Sequence, residues 1–369
     1  MRSKTLHIIP FIFLLLAVMS CGKDNPAVSD EQNIILDWPG YIWFDADAAK
    51  TKTTQVESMY GKSFNVIAFK YSSDWAIFKA TGTPASAMNS SSPYGFEFPT
   101  TVKCYASTGI CTYSSSGDSN PVEWDGNMKY SFFAYYPALS ADDPKGTVSP
   151  VTNQTTAGVP AIKYTVPAPV SGYMDATHVP DVMTAATYDA QNTGAGAVSL
   201  HFKHRLCLFC VEARNLKTES ATISDLVLTI TSNRYGDVTI PLDGSALQPG
   251  TVINNKFVCR MQPTTGTGAV VTVETFGSDG TSANTLVSHP NNHIAFIPQN
   301  PDVIGSNLVG QLDFKWNGET KSQTFTATKA FLEGKKYAFV ITIAADDTIS
   351  VDIRESEDWE EKSNDLIFE

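Results

Sequence analysis

Apolar residues in this chain recur at every second position, in short runs broken by Gly, Pro, Asn, Asp and Ser. That rhythm is the signature of β-strands and turns, and helical periodicity is almost absent. From Lys336 to Ile343 the side chains of Tyr337, Phe339, Ile341 and Ile343 share one face, and from Thr348 to Ile353 those of Ile349, Val351 and Ile353 do. The Ala344-Ala345-Asp346-Asp347 segment between them predicts a hairpin. Asn317-Gly318 predicts a second, because both residues accept the positive φ of a type I′ turn. Its flanks alternate through Leu312, Phe314 and Trp316 before it and Thr324 to Ala327 after it. A third hairpin is expected to join Ile223–Thr231 to Val238–Leu242 across Asn233 to Gly236. Phe132, Ala134 and Tyr136 alternate with Phe133 and Tyr135, so this strand is apolar on both faces and belongs at the centre of its sheets. Strands at this spacing predict an all-β fold of sandwiches rather than a parallel α/β sheet.

A single hydrophobic core stops growing at about 250–300 residues, so a chain of 369 suits two domains. Residues 1–20 read as a signal peptide: Arg2 and Lys4, an apolar run from Ile8 to Met19, then Ser20 before Cys21. The run is shorter than the about 20 residues of a membrane-spanning helix. Val18-Met19-Ser20-Cys21 resembles a bacterial lipobox, which makes Cys21 the expected lipidation site, with palmitate-like acyl chains holding the protein at a membrane. Residues 21–33 are polar and read as a tether. The long polar connection from Ala138 to Gly158 reads as a loop inside the first domain. The break at Tyr188 to Gly196 sets the boundary, giving an N-terminal β-sandwich over 34–190 and a C-terminal one over 191–369. The formal net charge is -12, and removing Arg2 and Lys4 with the signal makes it -14. A chain this acidic, with scattered cations, offers no stripe for a phosphate backbone, so nucleic acid is not an expected partner.

The residues that carry chemistry elsewhere are poorly placed here. Five cysteines follow Cys21, an odd number, so at least one is unpaired. Cys104 and Cys111 flank a turn at Ser107-Thr108-Gly109 and can pair. Cys207 and Cys210 have redox or metal-motif spacing, yet on one strand running from Val198 to Cys210 a separation of three sends them to opposite faces. His201 and His204 are opposed in the same way, and His289 and His293 enclose Pro290 in a loop. Gly117-Asp118-Ser119-Asn120 is a Ser-rich turn without a nucleophile elbow. No phosphate loop, dinucleotide fingerprint or calcium-loop spacing occurs. The expectation is therefore a protein that is not an enzyme, with no catalytic residue, no metal and no cofactor. A carboxylate pair assembled in space would escape this reading. So would a glycan platform of coplanar exposed Trp or Tyr, the mark of a surface glycan-binding lipoprotein, which is the alternative function.

Several segments together resemble the fimbrillin-like lipoproteins of the Bacteroidetes, the pilin superfamily of Mfa-like and FimA-type subunits. They are Cys21 in its lipobox, Phe132-Phe-Ala-Tyr-Tyr-Pro137, Asp181-Val-Met-Thr-Ala185, Val198-Ser-Leu-His-Phe-Lys-His-Arg-Leu206, Ala295-Phe-Ile-Pro-Gln299 and Phe331-Leu-Glu-Gly-Lys-Lys-Tyr337 running into Phe339-Val-Ile-Thr-Ile343. The resemblance implies two tandem transthyretin-like β-sandwiches, export to the cell surface as an outer-membrane lipoprotein, and a structural or adhesive place in a fimbria as stalk, tip or anchor. It implies other pilin subunits as partners, assembled by β-strand donation, and surface ligands on host or bacterial cells. Family pilins mature by a trypsin-like cut after their first strand. The corresponding positions here are a displaced strand at Tyr41, Ile42, Trp43 and Phe44, and cleavage at Lys50 or Lys52. In that strand Ile42, Phe44 and Ala46 would point one way and Tyr41, Trp43 and Asp45 the other. One departure stands out: no Arg lies between Arg2 and Arg205, so an Arg-specific protease has nothing to cut.

Overall fold

The computed structural model of the chain describes residues 42–48, 59–80, 100–104, 110–113, 123–138, 147–151, 160–174, 179–192, 197–275, 285–286 and 293–358. Among them the fold is all-β apart from two short helices. The signal peptide, the tether and Cys21 lie outside the described residues.

The first layer is a closed barrel in the order β1-β4-β3-β2-β5-β8-β9. Its strands are β1 (Phe44–Ala48), β2 (Ser63–Tyr71), β3 (Thr100–Cys104), β4 (Ile110–Tyr113), β5 (Lys129–Tyr136), β8 (Met183–Ala190) and β9 (Val198–His204). Strands β2 and β5 lack the apolar-polar alternation of a solvent-facing sheet because both of their faces are covered. Phe64, Val66, Ala68, Phe132 and Ala134 point into the barrel. Ile67, Phe69, Phe133 and Tyr135, one residue out of phase, join a second and larger core behind it. The pair thus forms a wall between two cores, and the two-sided apolar pattern around Phe132 has its reason. Helix α1 (Trp75–Ala80) caps the outer side, its Trp75 ring 5.1 Å from Phe133.

The larger core lies between two sheets. One contains β10 (Cys207–Asn215), β18 (Thr285–Leu286), β19 (Ile294–Phe296), β22 (Lys335–Ile343) and β23 (Ile349–Asp358). The other contains β11 (Ala221–Ile230), β16 (Phe257–Arg260), β17 (Val270–Val273), β20 (Leu308–Trp316) and β21 (Glu319–Ala327). Helix α2 (Pro301–Ile304) begins at Asn300, whose side chain accepts from the Asp302 N–H. The hairpins β22–β23 and β20–β21 form where alternation places them, with Asn317 at φ 49 and Gly318 at φ 83 in the turn of the second. Gly310 in β20 is required for a close approach: a Cβ there would sit 2.5 Å from both Phe325 Cζ and the Thr229 carbonyl oxygen.

The third expected hairpin does not form. Strand β11 pairs with β16, β17 and β20 instead. The residues after it split into β12 (Arg234–Tyr235), paired with β15 (Val252–Ile253), and β13 (Asp237–Pro241), paired with β14 (Gln248–Pro249) and β7 (Ala161–Thr165). Strand β7 also pairs with β6 (Val148–Pro150). The chain does not fold back on β11 because both edges of that strand are taken, one by β16 and β17 and the other by β20. Arg234 and Tyr235 are buried instead, with the Arg234 guanidinium 5.1 Å above the Phe257 ring. A second difference is that Val198 to Cys210 is two strands. The chain breaks at Arg205-Leu206, leaving β9 in the barrel and β10 in the larger core's sheet. Around the expected boundary at 190/191, β8 and β9 are hydrogen-bonded neighbours, while β7 from before it pairs with β13 from after it.

Candidate functional site

Strand β1 lies between two barrel strands of very different sequence position. It runs antiparallel to β4, with Phe44 opposite Cys111, and parallel to β9, with Phe44 opposite Val198 through Ala48 opposite Phe202. The Val198 N–H donates to the Trp43 carbonyl at 2.9 Å, extending the ladder one residue back. Parallel pairing of strands so distant in sequence has no local signature, and alternation alone does not reveal β9 as the other wall of this slot. The side chains follow the expected phase: Ile42, Phe44 and Ala46 are buried, Trp43 is half-buried and Asp45 is exposed. Tyr41, Lys50 and Lys52 lie outside the described residues.

The slot that holds β1 is apolar and aromatic. The Phe44 ring packs edge-on against Phe132 at 5.4 Å and Phe64 at 6.2 Å, and Phe64 packs against Phe202 at 5.1 Å. A disulfide between Cys104 and Cys111 ties β3 to β4 on one side of the slot, the pairing left open by the sequence. Main-chain groups of β4 and β9 supply hydrogen bonds along the strand while the pockets under Ile42, Phe44 and Ala46 select alternating apolar side chains.

The other residues singled out in the sequence lie apart from this slot where they are described. Cys207 and Cys210 lie on opposite faces of β10, Cys207 in the large core and Cys210 with Ala338 and Val340. Both are free thiols. Burial raises the Cys207 thiol well above its ordinary value and pushes Cys210 up to about 12, which favours the thiol over the thiolate at neutral pH. His201 is exposed and His204 is buried on the opposite face, where its Nδ1 bonds Asp181 at 2.9 Å. His293 is buried, whereas His289 and the Gly117–Asn120 turn lie outside the described residues. Among the described residues no group of three or more His, Cys, Asp or Glu side chains could hold a metal ion. The aromatics are mostly core: of the described Tyr, Trp and Phe side chains, Tyr60 and Tyr188 are the exposed ones, and Tyr188 leans on Trp75 at 5.8 Å. No described helix is long and apolar enough to cross a membrane.

A family model described as fimbrillin-like matches residues 69–359. Among solved structures the chain is similar to a candidate cell adhesion protein of Bacteroides ovatus, with 12% identity and a TM-score of 0.49 over 87% of this chain and 98% of that one. It is similar to a second such protein of Bacteroides uniformis, with 15% identity and a TM-score of 0.47 over 87% and 98%. A fimbrial assembly protein of Parabacteroides distasonis matches at 10% identity and a TM-score of 0.37, over 85% and 99%. No curated protein matches the chain.

Proposed function

This chain belongs to the fimbrillin-like family, and from that premise we propose that it is a structural and adhesive subunit of a bacterial cell-surface pilus, joined to its neighbours by β-strand donation. The observation that carries the reading is the seating of β1. A short strand fills a slot flanked by β4 and β9 and buries Ile42, Phe44 and Ala46 in the barrel core. Full burial of a large apolar side chain is worth about 1.5–3 kcal/mol, so Ile42 and Phe44 together contribute about 3–6 kcal/mol. The net stability of a whole domain is about 5–15 kcal/mol, so an emptied slot would be strongly driven to refill. Loss of β1 would leave the edges of β4 and β9 both unpaired, and a donor strand with apolar residues at alternate positions restores both ladders.

In this reading the first strand is cut free at Lys50 or Lys52, and the residue that replaces an arginine site is one of these lysines. Cys21 carries the lipid that delivers the subunit to the outer membrane before assembly. The reading is of two domains, 34–190 and 191–369, and the barrel that seats β1 takes its last strand, β9, from the second of them. The role is structural, and the partners are further subunits of the same or a related chain.

The test replaces Lys50 and Lys52 together by Ala and runs unboiled surface material on a denaturing gel. The wild type should give a ladder of multimers whose subunits begin after one of these lysines, and the double variant should lose the ladder. An unchanged ladder, or assembled wild-type subunits that still begin at Cys21, would defeat the maturation step.

A further inference from the structure

At Arg205 the chain leaves the barrel sheet and enters the other half of the molecule, and this residue is charged yet only 1% exposed. Its N–H donates to the Val182 carbonyl at 2.8 Å, just ahead of β8. The guanidinium then reaches four separate places. Nη1 donates to Thr184 Oγ1 in the barrel strand β8 at 3.0 Å and to the Pro241 carbonyl at the end of β13 at 3.1 Å. Nη2 donates to the Ser245 carbonyl at 2.7 Å, and Nε pairs with the carboxylate of Glu333, in the loop before β22. On either side of Arg205 the ties continue: His204 bonds Asp181, and the Leu206 carbonyl accepts the Gly334 N–H at 3.0 Å. The barrel grips the same Pro241–Ser245 turn a second time, through Lys79 of α1, 3.6 Å from Asp243.

A guanidinium holds its charge at any pH a protein survives, and a buried charge stripped of partners costs far more than the pair contributes when intact. Thr184 belongs to the barrel, while Pro241, Ser245 and Glu333 belong to the other half. The fork therefore keeps all of these partners only when both halves are folded and docked. Partial opening of either half leaves Arg205 buried with some of its partners gone, a state worse than complete docking and worse than complete opening. We infer that the Arg205 node is a lock between the barrel and the two-sheet body, a buried ionic clasp that makes them open together as one unit. This goes beyond the assembly reading and does not depend on it.

The experiment is pulsed hydrogen exchange read by peptide mass across a urea titration, with peptides from β9, whose core residues Val198, Leu200 and Phe202 lie only in the barrel, reporting the barrel and peptides from β22 reporting the body. In the wild type the two midpoints should coincide. In Arg205→Met they should separate by about 1 M urea, the size set by breaking a buried charge cluster against a usual urea slope. Glu333→Gln keeps the shape and removes one charge, and it should give a smaller separation in the same direction. Should Arg205→Met fail to fold, Glu333→Gln alone decides. A surface control, Lys315→Met, removes the half-exposed pair with Asp225 and should leave the midpoints together. Wild-type midpoints already apart, or variant midpoints that fall together, would overturn the lock.

Discussion

The first and last described strands, β1 and β23, carry nearly the same pattern and are used in opposite ways. Each places three aliphatic or aromatic side chains on one face: Ile42, Phe44 and Ala46 in β1, and Ile349, Val351 and Ile353 in β23. In β1 these are fully buried and the backbone is paired on both sides, with β4 and β9. In β23 they are half-buried, and the described pairing is with β22 alone. The solvent side of β23 carries Asp352 and Arg354, charges of the kind that keep an edge from recruiting another chain. Alternation tells which face of a strand is apolar. Whether that face closes a core or merely shelters an edge depends on partners that sit far away in the sequence.

The largest expected effect lies at the centre of β1. Phe44→Ala removes a ring buried among Phe64 and Phe132 and should lower the unfolding free energy by about 3–5 kcal/mol, measured by urea denaturation. A loss of less than about 1 kcal/mol would erase the distinction between the two strands.

Alkaline pH should strain both halves alike and so calibrate the comparison. Burial pushes the phenol of Tyr71, on the barrel wall, up to about 12, and burial does the same to Tyr337 in β22. An unfolded tyrosine ionises near 10, so the folded state holds its proton where the unfolded chain has lost it. The contribution of each phenol is complete below about pH 10 and is lost as the pH rises through about 12. Denaturation curves from pH 8 to 12 should show this decline, and Tyr71→Phe or Tyr337→Phe should each flatten part of it. A stability that stays level to pH 12 would contradict the burial of these phenols.

The smallest effect should come from the edge. Val351→Ala in β23 truncates a half-buried side chain and should cost about 1 kcal/mol or less in the same assay. A cost equal to that of Phe44→Ala would mean that β23 closes a core as β1 does.

What could be read in advance follows the same division between local and distant order. The β20–β21 and β22–β23 hairpins were legible because alternation and an Asn317-Gly318 turn fix both register and face within a few residues. The covered wall at β5 was legible from apolar residues on both faces of Phe132 to Tyr136. The fate of β13 was not, since its partner β7 lies far earlier in the chain and both edges of β11 are taken by strands that come later. The break between β9 and β10 was marked by a charged Arg205 inside an apolar alternation. A residue of that kind has to find partners if it is buried, and the partners, Thr184, Pro241, Ser245 and Glu333, are assembled only in space. In the candidate site, the phase of Ile42, Phe44 and Ala46 was legible, and the parallel partnership with β9 was not.

The most direct measurement is to excise β1 from the folded protein. A specific protease site placed between Ala48 and Met59 is cut, and the sample is followed by light scattering, by unboiled denaturing gel and by the mass of released peptide. If the slot accepts a neighbour's strand, the β1 peptide should leave as multimers that resist the unboiled gel appear, in step with one another. A cleaved chain that stays monomeric with its β1 peptide bound, or that loses the peptide and unfolds without forming multimers, would contradict strand donation as the way this protein assembles.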